Sequence, residues 1–399
     1  MSDIPLQETG VVTYVADGDT FGFLADGTMS AVRVRLLGVN TPEITGFNNA
    51  HFDHDFCGGQ QARANLLHWL PPGTRVQLRS ESALSSNKGR ILRYPFAYDP
   101  ATGAYDIDIS QKVAESGLAL WFTIDGESDL SYPYRLAIDS ASRAGLGIWD
   151  PSYCGPLEQP DAQLTLTAAW NPPGADTGNL NGEYVIVRNT GPVAVDLSGW
   201  LLRDSSLTSW FYFPPTTVLT PGDYLVAHVG AGTNGTPTQH DFYMGSQVPL
   251  FPNTSTTQFL GDGAYLFDTN TALRSSFVYP CVTGCSDPLL GTVVIARVQP
   301  RSTAISPARA ANQEWVLLTN LSSAPVSLDG YFLSRKISTY PFLPNTTLAP
   351  HGSLRVRIGS GTPSATTQFW GQPRPLLANR HDTVELRSPY DMLVDRKAW

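Results

Sequence analysis

Glu183-Tyr-Val-Ile-Val-Arg-Asn189 and Glu314-Trp-Val-Leu-Leu-Thr-Asn320 are two versions of one segment, and the residues C-terminal to each repeat as well. Sixteen residues after each glutamate stands a glycine, in Val195-Asp-Leu-Ser-Gly-Trp200 and Val326-Ser-Leu-Asp-Gly-Tyr331. Phe213-Pro-Pro-Thr-Thr-Val-Leu-Thr-Pro221 then answers Phe342-Leu-Pro-Asn-Thr-Thr-Leu-Ala-Pro350 with the same internal spacing. Late strands at Ala264-Tyr-Leu-Phe-Asp268 and Thr383-Val-Glu-Leu-Arg387 close the two halves. A period near 130 residues is too long for a solenoid unit, so the halves are tandem domains, residues 161–288 and 291–399. Short β-rich runs bounded by turn residues, without a convincing helix, predict a β-sandwich for each.

Composition agrees. Of the 399 residues 42% are hydrophobic and only 15% charged, against 35 Gly and 31 Pro, which suits β-rich domains joined by tight turns. No run of eighteen apolar residues exists, so no membrane span is expected. Cys57, Cys154, Cys281 and Cys285 fit two disulfides and an oxidising compartment; the alternative is four free thiols. A bond between Cys57 and Cys154 would tie the Gly58-Gly59 loop to the end of the first domain, whereas reduced thiols would leave both ends independent.

The first 158 residues read differently. Gly10–Val15, Thr20–Leu24, Ser30–Gly38 and Arg75–Arg79 carry strand patterning. Gln60–Trp69, Ile109–Leu118 behind an Asp108 cap, and Tyr134–Ala144 carry helical spacing. Five or so strands with interspersed helices predict a compact α+β barrel.

Three stretches of this domain carry chemistry: Asp17-Gly-Asp-Thr20, Arg35-Leu-Leu-Gly-Val-Asn-Thr-Pro-Glu43 and Lys88-Gly-Arg90. A turn at Asp17-Gly18 leaves the Asp19 carboxylate at a strand mouth, where it can meet a hard cation, and Asn40 and Thr41 add oxygen ligands. Glu43, one residue past a proline of fixed φ, is placed to polarise a water. Arg35 and Arg90 would clamp a phosphate from two sides. A cation, a base and two guanidinium groups are what phosphodiester hydrolysis requires, because its transition state gathers charge on phosphoryl oxygens.

In motifs and order this set resembles the staphylococcal (thermo)nuclease family over roughly residues 10–150, including the closing Gly145-Leu-Gly-Ile-Trp149. The resemblance implies an OB-fold β-barrel with three helices and Ca2+-dependent cleavage of DNA and RNA at the P–O5′ bond, leaving 3′-phosphates. By carry-over, Asp19, Asn40 and the Thr41 carbonyl are the metal ligands, Glu43 the general base, and Arg35 and Arg90 the phosphate-stabilising pair. Asn40 stands where the family has a second metal-ligating aspartate. The family's nucleotide-packing tyrosines are replaced by Lys88 and Thr123, with Trp121 or Phe122 as substitute stacking faces. His51, Asp53, His54 and Asp55, in the loop from Ile44 to Gly58, offer a second metal site or a solvated loop.

Glu183-Tyr-Val185, Asn189-Thr-Gly191 and Leu197-Ser-Gly-Trp-Leu-Leu-Arg-Asp204 resemble the hallmark of lamin-tail domains, and Leu328-Asp-Gly-Tyr-Phe-Leu333 is a more divergent copy. The implied whole is a nuclease-like OB domain followed by two immunoglobulin-like β-sandwiches, secreted by way of a signal absent from this chain. The sandwiches would attach it to a cell surface or matrix, or recruit substrate.

Charge narrows the choice. The net charge is −9, and residues 1–155 hold eleven Lys/Arg against eighteen Asp/Glu. Diffuse attraction to a polyanion is therefore absent, and affinity has to come from a local site. The rival expectation is a catalytically weak scaffold on a nuclease-like domain, binding nucleic acid or protein. Gly230-Ala-Gly-Thr-Asn-Gly235 matches a dinucleotide fingerprint but is followed by Thr-Pro-Thr, so no helix opens there.

Overall fold

The computed structural model describes residues 6–45, 54–82, 86–87, 89–206, 209–235, 240–255 and 257–399 of a β-rich, multidomain chain with few helices. It divides into two compact units. One holds residues 1–165, 189–223 and 252–278, and the other holds 166–188, 224–251 and 279–399. The division runs through the first repeat.

In the first unit, β1 (Leu6–Val15), β2 (Thr20–Ala25), β3 (Val32–Leu36) and β4 (Val39–Asn40) precede helix α1 (Gly59–Trp69). Then come β5 (Arg75–Ser80), β6 (Ser86–Asn87), β7 (Arg90–Asp99), β8 (Ala104–Asp108), α2 (Ile109–Glu115), β9 (Leu120–Trp121) and α3 (Ser131–Arg143). The sheet runs β3-β2-β1-β5-β7, and β3 also pairs parallel with β7, so five strands close on themselves. Val12, Phe21, Phe23, Val34, Leu36, Val76, Leu78 and Tyr94 fill the interior, as the period-two pattern requires.

Each expected helix is present, with shifted ends. The Asp108 carboxylate accepts a bond from the Gln111 amide at 3.0 Å, the N-cap predicted for α2. That helix stops at Glu115 rather than Leu118, because Gly117 takes φ +74° just past the cap and cannot continue the turn. Strand β7 escapes sequence patterning because Pro95 sits inside it, opposite Leu78.

The same unit contains four strands of the first repeat, Leu201–Arg203, Trp210–Tyr212, Asp262–Phe267 and Leu273–Tyr279, in one sheet up to residue 278. Leu201, Tyr265, Phe267 and Leu273 from this sheet share an apolar cluster with Phe56, Ala62, Leu118, Leu120 and Ile148 of the N-terminal domain. Cys57 and Cys154 are bonded, with Cα atoms 5.7 Å apart, and the Cys57 amide donates to Thr271 Oγ1 at 2.8 Å.

The second unit holds the second repeat entire, two four-stranded sheets around Val293, Val316, Leu318, Leu333, Leu354, Val384 and Leu386. It also carries a short helix, Pro307–Gln313, which corrects the expectation of a helix-free C-terminal half. Pro307 starts the helix where a missing N–H costs nothing, and seven residues are too few to show periodicity. Cys281 and Cys285 form the second disulfide.

The repeated glutamates have one job. Glu183 Oε2 accepts from the amides of Leu250 and Phe251 at 2.9 and 3.3 Å; Glu314 Oε2 accepts from those of Leu376 and Leu377 at 2.8 and 3.0 Å. The repeated asparagines also match. Asn189 Nδ2 donates to the Val193 and Leu219 carbonyls, and Asn320 Nδ2 to those of Ala324 and Leu348. Among the described residues no helix is long and apolar enough to cross a membrane.

Candidate functional site

The turn between β1 and β2 builds the first wall. Asp17 Oδ1 accepts from the Asp19 amide at 3.1 Å, closing an Asx turn over Gly18. A Cβ on Gly18 would stand 2.5 Å from Ala62 Cβ and 2.6 Å from Thr41 Oγ1, so only glycine lets α1 and Thr41 approach this closely. Asp19 is thereby buried, and four donors hold its carboxylate. Oδ1 takes Arg35 Nε and Thr20 Oγ1, each at 3.1 Å; Oδ2 takes the Thr41 amide at 2.9 Å and Thr41 Oγ1 at 3.1 Å.

Arg35 lies opposite Thr20 in the β2–β3 ladder. Its Nη1 donates to the Leu36 and Val39 carbonyls at 2.7 Å each, and Nη2 to Asn40 Oδ1 at 2.8 Å. With the Asp19 ion pair, four of the five guanidinium N–H groups are engaged inside the protein. A bidentate grip on phosphate by Arg35 is therefore not presented in this arrangement. Arg90, at the start of β7 beside the β3 pairing, donates from Nη1 to Thr20 Oγ1 at 3.2 Å. Its buried Nε finds no hydrogen-bond partner among the described residues.

Electrostatics tie in Glu43. Burial raises its carboxyl, the Asp19 charge raises it further, and the Arg35, Arg203 and Arg90 charges oppose the rise. Burial, then Asp19, pushes Asp17 up to about 7. Arg90 is lowered by burial and next by the like charge of Arg35. All six predicted residues, Asp19, Arg35, Asn40, Thr41, Glu43 and Arg90, thus belong to one interacting group: four through direct bonds, Arg90 through Thr20 and charge, Glu43 through charge.

Sequence reading missed Asp17 as a titrating member of the group. It also missed a contribution from the first repeat. Asn40 Nδ2 donates to the Ser205 carbonyl. Arg203 is fully buried, its Cζ 5.5 Å from the Phe267 ring centre, and burial lowers its pKa against the charges of Asp204 and Glu43. Both residues fall in or beside the Leu197–Asp204 hallmark, where they pass for framework.

Other expectations change. Trp121 is wholly buried with Nε1 donating to the Ser131 carbonyl, so it offers no face to a nucleotide, whereas the Phe122 ring lies 5.5 Å from Arg35 Cζ. Asp55 pins its own loop, accepting from the Thr45 amide and hydroxyl at 2.6 and 2.8 Å and from Gln60 Nε2 at 2.7 Å. His51, Asp53 and Lys88 lie outside the described residues, among which no group of three or more His, Cys, Asp or Glu is placed to hold a metal.

The oxygens gathered here, the Asp19 carboxylate and the Thr20 and Thr41 hydroxyls, are of the type a hard cation such as Ca2+ takes. Asp19 fits one, since the Thr20 and Thr41 hydroxyls are rotors that can turn off the carboxylate while Arg35 Nε and the Thr41 amide keep its other two lone pairs. At Asn40 the Arg35 guanidinium already occupies one lone pair of the amide oxygen, and the nitrogen donates to Ser205, so one lone pair of Oδ1 is left for a cation.

Residues 167–281 and 288–399 match the family described as Lamin Tail Domain. No curated protein matches the chain.

Proposed function

The chain belongs to the Lamin Tail Domain family, and we propose that the domain ahead of its two immunoglobulin-like repeats is a nuclease of the staphylococcal type, on an OB-fold barrel. It hydrolyses phosphodiester bonds of DNA and RNA at the P–O5′ position and leaves 3′-phosphates. The observation that carries this reading is the convergence of Asp19, Arg35, Thr41, Glu43 and Arg90, from separate stretches of backbone, on one group. A closed five-stranded sheet with three helices supports the fold.

Glu43, its carboxyl raised by burial, takes a proton from the attacking water. Arg90 hydrogen-bonds a non-bridging phosphoryl oxygen, using a guanidinium whose Nε has no partner among the described residues. Arg35, braced by two carbonyls and by Asp19, supplies fixed positive charge rather than a mobile clamp. Asp19 and the Thr41 carbonyl would hold Ca2+, whose charge when bound offsets the charge developing on phosphate. Two disulfides support an extracellular site of action, and the repeats serve attachment or recruitment.

The engagement of Asp19 and Arg35 by partners inside the protein also favours a second reading, a scaffold that binds nucleic acid or protein with little turnover. Incubating the full chain with plasmid or RNA in Ca2+, Mn2+ or EDTA separates the two. Cleavage that EDTA abolishes supports the nuclease; intact substrate in every lane supports the scaffold. Arg90→Ala and Glu43→Ser should each lower kcat by about a hundred- to ten-thousand-fold without changing the far-UV spectrum. Near-normal turnover by purified Arg90→Ala protein would refute the assignment.

A further inference from the structure

We propose that Asn40 is a positioning residue through which the first lamin-tail repeat completes the nuclease site: Ser205 orients the Asn40 amide, and the amide orients Arg35. The inference rests on the hydrolytic reading of the site.

Three bonds run in series. Asn40 Nδ2 donates to the Ser205 carbonyl, which turns Oδ1 the other way; Oδ1 accepts from Arg35 Nη2 at 2.8 Å; Arg35 Nε meets Asp19 Oδ1 at 3.1 Å. An amide can hold this place because it is donor at one end and acceptor at the other. A carboxylate has no donor, so aspartate at position 40 would set negative charge against a buried carbonyl oxygen. The local backbone supports the relay. Residue 40 pairs with Leu120 in the β4–β9 ladder, and Leu120 lies in the apolar cluster shared with Leu201, Tyr265 and Phe267 of the repeat. Ser205 is held in turn, its amide donating to Asp262 Oδ1 at 3.2 Å. Two residues before it, buried Arg203 has Nε and Nη1 without a partner among the described residues. The repeat thus adds a third guanidinium charge that acts on Glu43.

Asn40→Asp separates this role from that of a weakened metal ligand. If Asn40 positions Arg35 from Ser205, Asn40→Asp should lower kcat about tenfold or more with KM little changed. It should also melt several degrees below wild type in EDTA, and below Asn40→Ala, because repulsion is added to the lost bonds. Calcium affinity, measured by titration calorimetry, should not improve. Asn40→Ala guards against a misfolded aspartate variant, and should itself lower kcat and the metal-free melting temperature. An Asn40→Asp protein that binds Ca2+ more tightly, turns over faster and melts like wild type in EDTA would overturn the inference and leave the nuclease standing. A wild type that cleaves nothing, with both variants melting low in EDTA, would overturn the nuclease reading and retain the contact with Ser205.

Discussion

Asp17 shows how burial next to a second carboxylate turns an ordinary turn residue into a proton switch. Burial first and the Asp19 charge second push its carboxyl up from the ordinary 3.8 to about 7. Between those values the native state holds a proton that the unfolded chain has released, so stability falls as pH rises through that window. Glu43 is raised in the same direction. Melting temperatures in EDTA should therefore decline from pH 4 to 7, and Asp17→Asn should flatten that decline. An unchanged slope in the variant would place the proton uptake elsewhere. Asp19 was legible as a candidate site residue because Asp-Gly-Asp-Thr is a turn signal. Its neighbour was not, since an aspartate two residues away looks like half of the turn.

At the scale of elements, the repeat is a repeat of hydrogen bonds. The matched placement of Glu183 and Glu314 sets one carboxylate oxygen on two consecutive amides of a distant segment in each copy. Removing Glu314 as Glu314→Ala would strand the Leu376 and Leu377 amides where water reaches poorly. It should cost about 2–3 kcal/mol in urea unfolding with an unchanged m-value. A loss under half a kcal/mol would mean the segment re-pairs. The glutamates could be picked out from spacing alone, but their hydrogen-bond donors could not. Leu250 and Leu376 lie some sixty residues downstream, in Pro249-Leu-Phe-Pro-Asn253 and Pro375-Leu-Leu-Ala-Asn379, a match too short to tie to either glutamate before the chain folds. Strand β7 failed for a different reason, because Pro95 argues locally against a strand that its neighbours nonetheless impose.

At the scale of the molecule, the boundary between the N-terminal domain and the repeats is not a clean one. Cutting after residue 158 would take Leu201, Tyr265, Phe267 and Leu273 off Phe56, Leu118, Leu120 and Ile148. Uncovering each large side chain costs about 1.5–3 kcal/mol, and together they form a sticky patch. The truncated protein should therefore bind a hydrophobic dye and self-associate on a sizing column. A monomeric fragment with the full-length melting temperature would contradict this. Truncation is consequently a poor test of the proposed nuclease, and point variants are the better instrument.

Short-range rules made much of this protein readable. Alternation of apolar residues, an Asp cap, turn glycines, an even cysteine count and a tandem pattern each act over a few residues or recur at fixed spacing. They announced most strands of the N-terminal domain, its three helices, two sandwiches and six candidate site residues. Contacts with no local signature were decided only by folding. Ser205 against Asn40, Arg203 within reach of Glu43, and a sheet of the first repeat sealing the N-terminal cluster each join residues far apart in the chain. Buried polar atoms must find partners and apolar faces must find cover, and which partner is within reach is set by three-dimensional packing.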